Sequence, residues 1–134
     1  MALSTSIGTA VHTALFSAIA ALFDGEDVAV VAGPLAADQT WPAVHVGDVT
    51  TRADDAIGFN RSYRTVQVTV FSEFPGPAEV LDILGTIRTG LHGSPLTLSA
   101  GEGIMVTVDR ERTQLDADGL TYIGTCWVEV ETVP

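Results

Sequence analysis

The chain contains no lysine. Six arginines are its only fixed cations, and against 17 aspartates and glutamates they leave a formal charge of -11. Such a surface repels phosphate backbones and anionic lipid, so direct nucleic-acid binding and attachment to a membrane surface are disfavoured. Cysteine is scarce as well. The single Cys126 excludes an internal disulfide framework and leaves no cysteine cluster for a metal, a usage in keeping with a reducing compartment. The chain also has no phosphate-binding glycine loop, dinucleotide fingerprint or nucleophile elbow, and no internal repeat or low-complexity tract.

Charge is missing from residues 1–23, which are largely apolar from Ile7 to Phe23. A secretory signal needs a basic start, which is lacking here, and Thr9, His12, Thr13 and Ser17 interrupt the run that a membrane span requires. The segment has helical periodicity instead. Ile7, Val11, Ala14, Leu15, Ala18 and Leu22 share one side, with Thr5, Thr9, His12 and Thr13 on the other. Ser4 or Ser6 can cap its start and Asp24-Gly25 ends it, so a soluble amphipathic helix is expected.

What the sequence does have is a strand turning directly into a helix, Arg64–Gly93. Val66, Val68 and Val70 alternate with Gln67 and Thr69, the period of a strand with one buried face. Pro75, Gly76 and Pro77 stop the ladder, and proline at the first helical turn costs no intrahelical hydrogen bond. Val80, Ile83, Leu84, Ile87 and Leu91 then form one apolar helical stripe. Glu79 and Asp82 near its start and Arg88 and His92 near its end suit the helix dipole, and Gly93 can supply a left-handed cap.

Around this unit the remaining segments fall into place. Asp27–Ala32 reads as a short strand closed by Gly33-Pro34, and Trp41-Pro42 leads into a strand over Ala43–Val49. The polar stretch Thr50–Asn60 reads as an exposed loop joining that strand, antiparallel, to the one at Arg64. Leu96 and Leu98 indicate a short strand, Gly101-Glu102-Gly103 a turn, and Ile104, Val106 and Val108 the inward face of another strand. Asp116-Ala117-Asp118-Gly119 is a hairpin turn signal, followed by a last strand over Leu120–Glu131. The expected fold is α+β, an antiparallel sheet of about four main strands with two helices packed on one face. At 134 residues and 46% hydrophobic, residues 1–134 read as a single domain able to build its own core.

Candidate chemistry is thin. His12, His45 and His92 lie on three elements without ligand spacing, so no metal site is expected. Asp116 and Asp118 resemble the opening of a calcium loop, but the later ligand positions are lacking and a turn is the simpler account. Cys126 is mid-strand without a neighbouring base, and Asp54-Asp55 sit in a solvated loop, so no catalytic group and no cofactor are expected. Apolar surface is the feature left over. Phe16 and Phe23 fall off the apolar stripe of the first helix, and Ile123 and Trp127 share the strand face opposite Tyr122, Cys126 and Val128, so Phe16, Phe23 and Trp127 are candidates for a subunit interface.

Taken over nearly its whole length, the chain resembles the tail terminator, or tail-completion, proteins of long-tailed phages and gene transfer agents. The resemblance is carried by the Ala-rich first helix AVHTALFSAIAALF, the WPAVHVGD and VQVTVFSE strands, and a helix ending in LHG before PLTL. A strand ending near Arg110 and Arg112, the DADG turn and the closing GTCWVEV strand complete it. It implies a structural virion protein, not an enzyme. Copies would form a hexameric ring on the head-proximal end of the tail tube, end tube polymerisation and join the tube to the head connector. The implied partners are the major tail tube protein and the connector protein, with assembly in the bacterial cytoplasm and DNA passing through the ring without specific binding.

Two features of the sequence acquire a use in a ring. Asp54, Asp55 and Gly58 of the Thr50–Asn60 loop, and Asp116 and Asp118 of the DADG turn, are candidate contacts to tube or connector, being polar and flanked by strands. The acidity suits a channel through which DNA slides without sticking. The alternatives are a head-tail connector or tail-tube subunit, and, in another class, a small-molecule-binding α+β domain or enzyme. The last requires a pocket with converging polar groups, for which the sequence offers no cluster. An acidic mimic of DNA is favoured by charge alone.

Overall fold

The computed structural model describes residues 6–35, 39–54 and 61–134. Two helices, α1 (Ile7–Leu22) and α2 (Ala78–Leu91), accompany five strands: β1 (Ala29–Val31), β2 (Ala43–Asp54), β3 (Arg61–Ser72), β4 (Glu102–Leu115) and β5 (Tyr122–Val133). The strands make one sheet in the order β1-β2-β3-β5-β4, with β1 parallel to β2 and every other pair antiparallel. The sheet is therefore five-stranded and mixed, not four-stranded and antiparallel as the sequence led us to expect. The connection from β1 through Gly33-Pro34 and Trp41-Pro42 is long enough to bring the chain back to the same end of the sheet, which is what parallel pairing requires.

Local chemistry explains both helices. Ser6 caps α1, its side-chain oxygen accepting from the Thr9 amide at 3.0 Å. The stripe that α1 buries is Ala10, Val11, Leu15 and Ile19. It is rotated from the expected one, for Ala14, Ala18 and Leu22 are only partly buried. In α2 the buried residues are Val80, Ile83, Leu84, Ile87 and Leu91, as the periodicity requires. The left-handed glycine, Gly93 at φ +79°, lies one residue past the extended C-cap His92.

The helices cover one face of the sheet, where they enclose Val44 and Val46 of β2, Val66, Val68 and Val70 of β3, Val106 and Val108 of β4, and Cys126, Val128 and Val130 of β5. Burying a Val or Leu side chain is worth about 1.5–3 kcal/mol. Gly124 shows how closely α2 sits. A Cβ there would fall 2.3 Å from Val80 Cγ1 and 2.9 Å from Leu84 Cδ1, so only glycine lets the helix approach.

Strict alternation fails at three places. The register slips between Val46 and Val49 of β2, where Gly47 passes so near the partner strand that a Cβ would meet the Gln67 carbonyl oxygen at 2.7 Å. It slips again in β4 between Gly103 and Met105 and between Val108 and Arg110. The first slip in β4 corrects the expectation for Ile104. With Gly103 turned inward ahead of it, Ile104 is 44% exposed, while Val106 and Val108 remain buried.

Other boundaries also move. β2 continues through Asp54 and β3 begins at Arg61, so Thr50–Asp54 is ladder, not loop. The strand expected at Leu96 and Leu98 reduces to an isolated bridge between Leu96 and Gly103. That segment has a different task, closing part of the outer edge of β4. Gly93 donates to the Val106 carbonyl at 2.7 Å and the Val106 amide donates to Ser94 at 2.8 Å. Farther along, the Val108 amide donates to His92 Nδ1 at 3.0 Å and Arg88 Nη2 donates to the Val108 carbonyl at 3.2 Å. No helix among the described residues is long and apolar enough to cross a membrane.

Candidate functional site

With the helices on one side, the described residues leave most of the other face of the sheet open, and it holds the unusual chemistry. Four of the six arginines, Arg52, Arg61, Arg110 and Arg112, pair in the ladders with Tyr63, Asp54, Trp127 and Thr125 and so stand on this face. Three of them stack on aromatic rings. The Arg52 and Arg61 guanidinium carbons lie 4.5 and 5.8 Å from the Tyr63 ring centre, and that of Arg110 lies 4.1 Å from Trp127. Arg61 also pairs with Glu131 at 3.0 Å. Trp127 borders a shallow polar depression of about 370 Å³ with His45, Gly47, Asp48, Thr50, Thr65, Gln67 and Thr69. An aromatic ring among hydroxyls, an amide, one imidazole and one carboxylate is a mixture suited to contact with a protein surface.

Loops mark the two ends of the sheet. At one end the β4–β5 hairpin closes on Asp116–Gly119, with Asp116 donating its amide to the Thr121 carbonyl at 2.8 Å and Gly119 donating to Asp116 at 3.0 Å. Asp118 holds the turn, accepting from the Leu120 and Thr121 amides at 2.8 and 2.9 Å and from the Thr121 hydroxyl at 2.7 Å. These bonds to the charged form, the Leu120 amide first, hold its carboxyl below the ordinary 3.8. Leu115 and Leu120 flank the turn, 50% and 73% exposed. Composition had pointed to the acids of this turn and missed its leucines, although two leucines bracketing a polar turn are a readable signal.

The other expected contact segment lies at the opposite end, where Asp54 pairs with Arg61 across the β2–β3 ladder. Asp55 and Gly58 fall outside the described residues. The two acid-bearing segments are thus not brought together. The three aromatics proposed for an interface are not brought together either. Trp127 is on the open face, Phe16 is half-buried against the core, and Phe23 is 6% exposed within it. Phe23 is a correction: as the C-cap, with φ −107° and ψ 14°, it has left the helix, so the wheel that put it on the outer side does not apply.

Expected chemistry elsewhere is accounted for structurally. His12 Nε2 lies 3.4 Å from the Val46 carbonyl and His92 accepts from Val108. Among the described residues no three His, Cys, Asp or Glu side chains are grouped to hold a metal ion. Burial, reinforced by the Glu111 carboxylate and partly offset by Arg88, pushes the Cys126 thiol up to about 12, leaving it neutral and unreactive at ordinary pH.

Comparison with known proteins identifies a family and a shared fold. The family model for "Tail completion protein gp17" matches residues 9–132. A solved chain from "Virion of native gene transfer agent (GTA) particle" superposes with a TM-score of 0.82 at 14% identity, covering 98% of this chain and 100% of that one. At that identity the likeness is one of fold. None of the curated proteins matches in sequence.

Proposed function

Since the chain belongs to the tail completion protein gp17 family, we propose that it is a structural protein of a phage-type tail, whose copies close into a hexameric ring at the head-proximal end of the tube. The ring ends tube polymerisation and offers the head connector a seat. The observation that carries this reading is the family match over residues 9–132. The fold shared with a chain of a gene transfer agent particle supports it, and makes a component of the assembled virion the natural setting.

The geometry supplies what such a subunit needs. Ring closure takes a heterologous interface, one patch meeting a different patch on the next copy. The open face, with Trp127 and its stacked arginine, is the candidate for one half of it. The two ends of the sheet are separate surfaces, so one can meet the tube and the other the connector. The β4–β5 turn, with Asp116, Asp118, Leu115 and Leu120, is one such contact. Arginines tied to tyrosine, tryptophan and glutamate, within a net charge of -11, favour a channel that DNA crosses without being held.

Electron microscopy of particles from a producing strain lacking this chain tests the reading. Overlong tubes without heads are expected. Tubes of normal length beside separate heads would reassign the chain to the connector, loss of tubes to a tube subunit, and unaltered particles would return a small-molecule-binding or enzymatic role to first place.

A further inference from the structure

A second surface, apart from the open face, is an apolar groove on the helix side. It measures about 670 Å³ and runs between the C-terminal end of α1 and the first turns of α2, with Leu22, Phe23, Trp41, Pro42, Phe74 and Ile83 among its lining. Trp41 and Phe74 are 36% and 50% exposed, and Leu81, on the adjoining α1–α2 seam, is 49% exposed. Four carboxylates, Glu26, Asp27, Glu79 and Asp82, edge the groove, and no basic side chain among the described residues lines it.

The charge here is unbalanced in a way that the fold itself does not correct. The carbonyl end of a helix favours a cation, yet the last turn of α1 has no basic residue and the chain continues into Asp24, Glu26 and Asp27. Acids in that position cost stability. Glu79 is at least bound, accepting from the Ser72 hydroxyl at 2.6 Å, and the α2 dipole suits it. Nothing described stands opposite Asp27 or Asp82.

We infer that this groove is the docking site for a basic, amphipathic segment of another protein, one that sets arginine or lysine beside an aromatic or aliphatic anchor. The anchor would fill the space beside Trp41 and Phe74, and its cations would meet the four carboxylates and the end of α1. A second copy of this chain fits poorly. It has no lysine, and the four arginines gathered on its open face lie on strands of a sheet, not on a segment that could enter a groove, three of them already engaged: Arg61 with Glu131, Arg52 and Arg110 over rings. The inference stands on the chemistry of the groove and does not depend on the ring.

The test uses the full chain and nuclear magnetic resonance titration with a short synthetic peptide alternating arginine with leucine and phenylalanine. Shifts are expected to concentrate at Phe23, Val28, Trp41, Phe74 and Ile83. A control peptide with serine in place of the apolar residues should bind about tenfold more weakly or worse, a difference of about 1.4 kcal/mol. Asp27→Asn with Asp82→Asn, both exposed positions, should weaken binding of the first peptide by a similar factor without lowering the melting temperature. Equal binding of the two peptides, shifts scattered over the surface, or indifference to the double variant would overturn the inference. Concentration-dependent shifts at these residues without peptide would overturn it in favour of a second copy.

Discussion

The two faces of the sheet are made by the same strands in the same register, yet they are composed by different rules. Toward the helices, β3 and β5 alternate Val66, Val68, Val70, Cys126, Val128 and Val130, all 0% exposed. One residue away along each strand, the opposite face shows Tyr63, Thr65, Gln67, Thr69, Thr125, Trp127 and Glu129, none of them buried. At its centre the covered face answers to volume, with polar bonds such as Ser72 to Glu79 and Arg88 to Glu111 kept to its margins. Apart from Trp41 against Phe71 at one end, the described residues put no packing layer on the open face, which leaves it available for contacts outside the subunit.

Substitutions on the two faces should therefore separate stability from assembly. The largest expected loss is from Leu84→Ala, fully buried against the sheet, at about 2–5 kcal/mol in urea denaturation. Gly124→Ala, which drives a methyl group into Val80 and Leu84, should cost about 1–3 kcal/mol, whereas Thr125→Ala beside it should cost far less. Equal losses at 124 and 125 would erase the distinction between the faces. On the open side, Trp127→Ala removes the stack with Arg110 and should cost about 1 kcal/mol or less, yet weaken the proposed self-association as measured by sedimentation. A monomer as unstable as the Leu84 variant would place Trp127 with the core.

Two pH effects sharpen the same contrast. Cys126, on the covered face, keeps its proton to about 12 when folded but loses it near 9 when unfolded. The unfolded state then binds fewer protons, so stability falls as pH rises from about 9 toward 12, and Cys126→Ala should flatten that decline. In the native protein at neutral pH, the thiol should react with a thiol reagent only on unfolding. At the exposed turn the sign reverses. Asp118 is held below 3.8 by its bonds, so its contribution is present above that pH and fades as pH falls through the lowered value. Asp118→Asn should remove this small acid-sensitive component, seen in the amide resonances of Leu120 and Thr121.

How much of this could be read from the sequence depended on whether a segment obeyed one period throughout. α2 was readable residue by residue, since its stripe, its acidic start and Arg88 near its end all agree. The alternation of β5 was equally plain, and it put Trp127 on the correct side. The family resemblance was legible too, and the family match bears it out. β1 was visible as a strand, but a three-residue segment does not state which neighbour it will join or in which direction. Ile104 and Phe23 were misplaced where a period breaks, at a register slip and at a helix cap. The groove edged by Glu26, Asp27, Glu79 and Asp82 was beyond any single-segment pattern, because it is assembled from the ends of two helices and the loops around Trp41 and Phe74.

The three register slips act as frame shifts written into the protein chain. Counting by twos from Val44 would send Arg52 inward, and counting by twos from Val106 would send Arg110 and Arg112 inward, three charges aimed at the helices. The extra residue in each strand resets the count, so that all three arginines emerge on the outer side and Glu111 turns in to meet Arg88 at 2.9 Å. Removing Asp109 alone would therefore exchange the inner and outer sets of the strand from Arg110 to Leu115. In these strands a one-residue deletion is a more drastic lesion than most substitutions, whereas a paired deletion that preserves the count would leave each side chain on its own face.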